Sequence, residues 1–242
     1  MIRGRILVRL EAAPPARVTM EAAAGIAAHL EAELVGLFVE EIELLHWAAL
    51  PFTREVGLAS ARSRPLDVKA MERTLRSLAN ESREALAEVA ARTSLRWSFK
   101  VARGSMPELL AAAAEADLLV ARAAGMRLRP THVPSAPILL VQERGMASPR
   151  FVAVCTAAAR PEELALSLNG LLRSSAEPVD IVLLCEDPVL AAQWERKARA
   201  LLAETGGPHK LRIAVAKDHA ELLQLLSRRA GGSVQRFRER HQ

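Results

Sequence analysis

The chain has 242 residues, half of them hydrophobic and a quarter charged, with a formal net charge of +5. That balance fits a globular protein and argues against disorder, and no apolar run approaches the ~20 residues that span a bilayer. The basicity is almost entirely scattered arginine, and an aromatic fraction of 3% without tyrosine leaves few platforms for stacking bases, so nucleic acid is not the expected partner.

The length accommodates two domains of ordinary size, each with its own core. Met1-Ile-Arg-Gly-Arg-Ile-Leu-Val enters a strand almost at once and lacks a signal-peptide layout, which sets the expectation of a cytoplasmic protein. Two cysteines, Cys155 and Cys185, are too few for a disulfide framework.

In chain order, Ile6–Leu10 reads as a first strand interrupted by Arg9, with Glu11 at its end. The prolines after it make a turn, and residues 16–33 show helical spacing through Val18, Ala22, Ile26 and Leu30. Leu34–Val39 is a second strand running into Glu40 and Glu41, so the chain opens with a β-α-β unit. Residues 42–66 fit no simple turn. Leu44–Leu50 has the makings of a short helix, and the remainder carries Arg54, Arg62 and Arg64 among small residues. Connections of this length tend to be functional, and two readings stand: a cover over the carboxyl edge of the sheet, or a local lid in which His46, Trp47 and Phe52 pack down.

Residues 67–93 form a long amphipathic helix, and Leu95–Val101 alternates apolar and polar residues as a half-covered strand at a sheet edge does. Gly104 makes a turn, Ser105 and Glu108 have the spacing of a capping box, and Leu109, Leu110, Ala113 and Ala114 supply a slim helical stripe. Asp117 then precedes the apolar run Leu118–Val120, and Ile138–Val141 is a further run of the same kind. Both are typical of parallel strands covered on two faces.

This series resembles the universal stress protein domain. The resemblance rests on the strand with an acid after it, the β-α-β start, Gly104-x-x-Pro107, the alanine-rich helix, Asp117-Leu-Leu-Val120 and Ala136-Pro-Ile-Leu-Leu-Val141. It covers about residues 5–142, and 150–230 more faintly. It implies a Rossmann-like, five-stranded parallel sheet in the order 3-2-1-4-5, paired into a dimer or a tandem pseudo-dimer. Members that bind ATP carry a Gly-x-x-Gly loop after the fourth strand and a further glycine beside Ser or Thr, which brings backbone N–H groups to the phosphates. Here the corresponding stretch, Ala121–Ser135, has Gly125 alone and is interrupted by Pro130 and Pro134. The phosphate cradle is therefore expected to be missing. What the resemblance leaves is a vestigial nucleotide site at Glu11, Val39, Gly125 and Arg127, with Arg122 and Arg129 as further cations for an anion.

From 143 to 150 the chain reads as a polar linker, and the pattern then restarts. Phe151–Cys155, Val179–Leu184 and Leu211–Ala216 are strands; Arg160–Arg173, the stretch from Pro188 to about Glu204, and the stretch capped by Asp218 are helices. No equivalent of the last two strands follows. Either the second unit is a three-stranded remnant, or Ser233–Phe237 adds a short strand; the basic tail after Gly231 reads as a disordered end.

The expected architecture is α/β: two tandem three-layer α/β/α domains of the universal stress protein type with parallel sheets, residues 1–146 and 147–242, the second shortened. No Gly-x-Ser-x-Gly elbow, Walker loop or histidine pair at metal spacing is present, so no enzyme, no metal and no cofactor is expected. The expected function is a stress-response role by binding; the alternative is a regulator that binds ATP or AMP. Because the shortened second unit lacks its own last strand, the edge at 136–142 is expected to be unpaired and to form a homodimer.

Overall fold

The computed structural model describes residues 4–11, 16–50, 52–56, 63–65, 67–104, 116–125, 136–144, 147–174, 178–206 and 211–229. The helix expected after Ser105, Arg127 and Arg129, and the tail from Gly231 lie outside the described residues.

The first half contributes β1 (Arg5–Leu10), α1 (Arg17–His29), β2 (Glu33–Glu41), α2 (Ile42–Ala49), β3 (Arg54–Val56), β4 (Ser63–Pro65), α3 (Val68–Arg92), β5 (Trp97–Gly104), β6 (Leu118–Arg122) and β7 (Ile138–Arg144). A 3-10 turn, Ala123–Gly125, follows β6. The second half contributes β8 (Ala147–Thr156), α4 (Pro161–Ser174), β9 (Val179–Leu184), α5 (Pro188–Gly206), β10 (Leu211–Ala216) and α6 (His219–Arg229).

Eight strands form one sheet in the order β10-β9-β8-β7-β6-β1-β2-β5. Its first half, read from the edge inward as β5-β2-β1-β6-β7, is the expected 3-2-1-4-5, all parallel. The second half repeats only the 3-2-1 part, β10-β9-β8, also parallel. The two meet through one antiparallel pair, β7 with β8, in which Leu139 stands opposite Ala153.

That pair corrects two expectations. Residues 143–150 are not a linker: β7 continues to Arg144 and β8 begins at Ala147. Their polarity reflects the end of the sheet, where Gln142 pairs with Arg150. The edge at 136–142, expected to be free for a second copy, is also taken. Strand β7 lies between β6 and β8, so its main-chain groups are committed on both sides and a homodimer through that edge has no donors or acceptors left to use. The boundary expected at 146/147 falls at the β7–β8 reversal, and the sheet continues across it.

Alternation along the strands divides the core into two faces. On one, Ile6, Val8, Leu118, Val120, Leu139, Ala153 and Ile181 pack under α1, α3, α4 and α5. On the other, Leu7, Leu119, Leu140, Val152 and Val182 form a second cluster with Leu222 and Leu226 of α6. Four helices share a face because the second half advances in the opposite direction along strands of opposite sense, and right-handed crossovers then fall on the same side. Gly36 on β2 lets α3 settle close: a side chain there would meet Leu86 and Phe99. Asp67 caps α3 by accepting from the Lys69 N–H at 3.1 Å.

The 42–66 insertion holds α2 and a separate antiparallel ribbon, β3 with β4, joined also by Arg54 Nε donating to Ser63 Oγ at 2.7 Å. The ribbon was not foreseen, since three-residue strands carry too little periodicity to read. The packed-down lid is not found for Trp47 and Phe52, which are 56% and 91% exposed.

Candidate functional site

In an open α/β sheet the crevice for a ligand lies outside the carboxyl ends of the strands, where the chain departs in opposite directions from two neighbours. In the first half this point lies between β1 and β6: the chain leaves β1 toward β2 and leaves β6 toward β7. Glu11 follows β1, Val39 nears the end of β2, and Gly125 closes the turn after β6, so these three expected residues gather at one edge. Arg9 pairs in register with Leu37, which sets Glu11 two residues on at the level of Val39, on the same face. Val39 is buried among Leu7, Val35 and Leu37. The fourth expected residue, Arg127, lies outside the described residues.

Charges line this edge, and they are matched. Arg9, whose side chain is 2% exposed, donates from Nη1 to Glu11 Oε1 at 2.6 Å. Glu40, level with Arg103 across β2 and β5, accepts from its Nε at 3.0 Å, and the same guanidinium approaches Glu72 of α3 at 3.9 Å. Arg122 at the end of β6 stands 3.5 Å from Glu143 of β7. Glu11, Glu40 and Glu143 thus each have a cation within the chain, an arrangement that holds strand ends together.

Because β8, β9 and β10 run the other way, the second half has its carboxyl edge at the opposite end of the sheet. Asp187 and Asp218 there are engaged in helix starts. Asp187 Oδ1 accepts from the N–H groups of Val189 and Leu190 at 2.8 and 3.3 Å. Asp218 Oδ1 accepts from Glu221 N–H at 2.8 Å, while Glu221 Oε2 accepts from Lys217 N–H at 2.9 Å, a reciprocal cap. Cys155 and Cys185 both face the four-helix side. Cys155 is level with Leu183, which makes Cys185 a diagonal neighbour. Diagonal Cα atoms lie about 7–8 Å apart, beyond the roughly 4.4–6.8 Å that a disulfide bridges. Among the described residues no three His, Cys, Asp or Glu side chains gather as metal ligands. Nor is any described helix long and apolar enough to cross a membrane.

No family model and no curated protein matches the sequence. Among solved structures, the chain is similar to a protein of the universal stress protein family from Burkholderia pseudomallei, at 22% identity and a TM-score of 0.35, over 49% of this chain and 80% of that one. It is also similar to a universal stress protein from Archaeoglobus fulgidus, at 14% identity and 0.40, over 94% and 84%. A universal stress protein in complex with cAMP matches at 13% identity and 0.31, over 88% and 96%.

Sequence reasoning singled out Glu11 but passed over its partner. Arg9 and Asp180 are the charged residues that break otherwise apolar runs, Val8-Arg9-Leu10 and Val179-Asp180-Ile181. Both are buried, and Asp180 lies 3.3 Å from Arg150. A charge inside a buried strand is a readable signal of a paired partner nearby.

Proposed function

We propose that this chain is a universal-stress-protein-like protein of the cytoplasm that acts by binding a protein partner, with a vestigial nucleotide site and no catalysis. The observation that carries the reading is the pairing at the carboxyl edge of the first half. Arg9 with Glu11, Arg103 with Glu40 and Arg122 with Glu143 are matched within the chain. A general acid or base needs a group aimed at substrate, and an anion site needs a donor not already spent. The stretch from Ala123 to Pro137 contains a single glycine, Gly125. A phosphate cradle is built from several backbone N–H groups approaching the anion, which one glycine does not provide.

The second reading, an adenine-nucleotide-binding regulator, is supported by the sequence positions of Glu11, Val39 and Gly125, each after or near the carboxyl end of β1, β2 or β6. One of the similar solved structures is described as a complex with cAMP. Titration calorimetry with ATP, AMP and cAMP decides between the two. The first reading expects no saturable heat at millimolar nucleotide; saturable binding that Glu11→Ala removes would replace it with the second.

A further inference from the structure

The sheet ends on one side at β5, whose inner edge pairs with β2 from Trp97 to Gly104. Among the described residues no strand lies on its outer edge. The ladder tells which main-chain groups face outward. Leu34 N–H donates to the Arg96 carbonyl at 2.9 Å, so residues 96, 98, 100 and 102 turn theirs toward β2. Alternation along a parallel ladder then turns the N–H and C=O groups of Trp97, Phe99, Val101 and Arg103 away from the sheet. Such a row of unused donors and acceptors is a template for one more strand.

The side chains of β5 say what kind of strand. Lys100 and Arg103 are exposed, as is Arg96 just before the strand, and β5 contains no acid. Arg103 is engaged by Glu40 and Glu72, while Arg96 and Lys100 make no ion pair among the described residues. On the helix-covered face the strand presents Phe99, packed against the core, and Val101, which is 51% exposed; Lys100 points to the other face. A second copy set edge to edge would place these cations against their own kind, which is unfavourable across a strand pair. An acidic segment matches them.

We propose that the outer edge of β5 takes up an extended segment of a partner protein by strand addition, a segment in which acidic side chains alternate with apolar ones. The acids lie beside Lys100, and the apolar side chains continue the Phe99–Val101 face. The proposal rests on the reading that the chain works by binding protein, and it names the surface and the chemistry of the partner.

The test uses the full chain and a fluorescent peptide of alternating Glu and Val, with the Lys–Val peptide as counterpart. Anisotropy should show saturable binding of the Glu–Val peptide that salt weakens, and about tenfold weaker binding of the Lys–Val peptide. Amide hydrogen exchange should slow at Phe99, Val101 and Arg103 on peptide addition. Val101→Pro removes an outward N–H without touching the ladder to β2, a substitution that edge strands accept, and should abolish binding. Lys100→Glu should reverse the preference between the peptides. No binding of the Glu–Val peptide, protection located elsewhere, or undiminished binding by a folded Val101→Pro variant would overturn the proposal. Should Val101→Pro not fold, an unreversed preference in Lys100→Glu overturns it instead. A saturable nucleotide titration beside intact peptide binding would sink the vestigial-site reading and leave this one; a silent titration with no peptide binding would sink this one alone.

Discussion

The carboxylate of Asp117 accepts a hydrogen bond from the main-chain N–H of Arg5 at 2.7 Å, and the N–H of Asp117 donates to the Arg5 carbonyl at 3.0 Å. This reciprocal pair fastens the start of β1 to the start of β6, two strands 112 residues apart in sequence. Gly4 stands so close that a Cβ there would lie 2.9 Å from Asp117 Oδ2. An acid that reads in the sequence as part of a family pattern thus serves the fold itself, setting the register of the central parallel pair. Asp117→Ala should cost about 1–2 kcal/mol in urea unfolding, and Asp117→Asn less, because the amide oxygen still accepts. An unchanged midpoint for Asp117→Ala would show that the bond contributes nothing to stability.

Two glycines should respond in opposite directions to alanine. At Gly36 a Cβ would overlap Leu86 Cδ2 and come within 3.1 Å of Phe99 Cδ2; Leu86 is fully buried. Gly36→Ala should therefore destabilise by about 1–3 kcal/mol as an overpacked core site. Gly25 sits on the exposed side of α1 with nothing within 4 Å of an added Cβ. There alanine lowers the entropy of the unfolded chain and meets no obstacle, so Gly25→Ala should raise stability by about 0.5–1 kcal/mol. Paired denaturant titrations check both; the same sign for the two variants would contradict the packing described for α1 and α3.

Asp180 of β9 is 1% exposed in its side chain, and Arg150 of β8 stands 3.3 Å away at 19%. Taking away only Arg150 removes one counter-charge from a carboxylate in the core, a loss of a kind that costs up to about 3–5 kcal/mol. Replacing both by apolar residues of similar volume often costs little. Arg150→Met should thus be strongly destabilising, and Arg150→Met/Asp180→Leu should regain most of the loss. Unfolding midpoints of the two single variants and the double variant complete the cycle. Additive losses would mean that the two side chains are not coupled.

The parallel core was legible because its strands are short continuous apolar runs, Leu118–Val120 and Ile138–Val141 above all, and because the second half repeats the first. The 3-2-1-4-5 order came with the family resemblance and was found. The junction was not legible. Gln142, Glu143 and Arg150 are polar because they lie at the rim of the sheet, and by composition a rim strand resembles a linker. The free edge at 136–142 is expected from a second unit that lacks its own last strand; instead Phe151–Val154 of β8, itself legible as a strand, turns back antiparallel along Ile138–Val141 of β7 and fills the place a second copy would have taken. At the site, Glu11 came with the family resemblance, as the acid after the first strand. Its engagement by Arg9 could not be read, since strand alternation puts them on one face but only the fold buries the arginine there.

Cys155 sits fully inside the four-helix face, and burial pushes its thiol from the ordinary value of 9.0 up to about 12. In the folded chain the neutral thiol is favoured, while the unfolded chain ionises near the ordinary value. The linked stability is therefore fully present below about pH 9 and is lost as the pH rises from there toward about 12. The difference in unfolding free energy between the native chain and Cys155→Ala should be flat at pH 7–8 and shift against the native chain at pH 9, 10 and 11. A difference that stays constant across that range would mean that the thiol is reached by water in the folded state. The same burial predicts that Cys155 escapes alkylation at neutral pH until the chain is unfolded, since only the thiolate reacts.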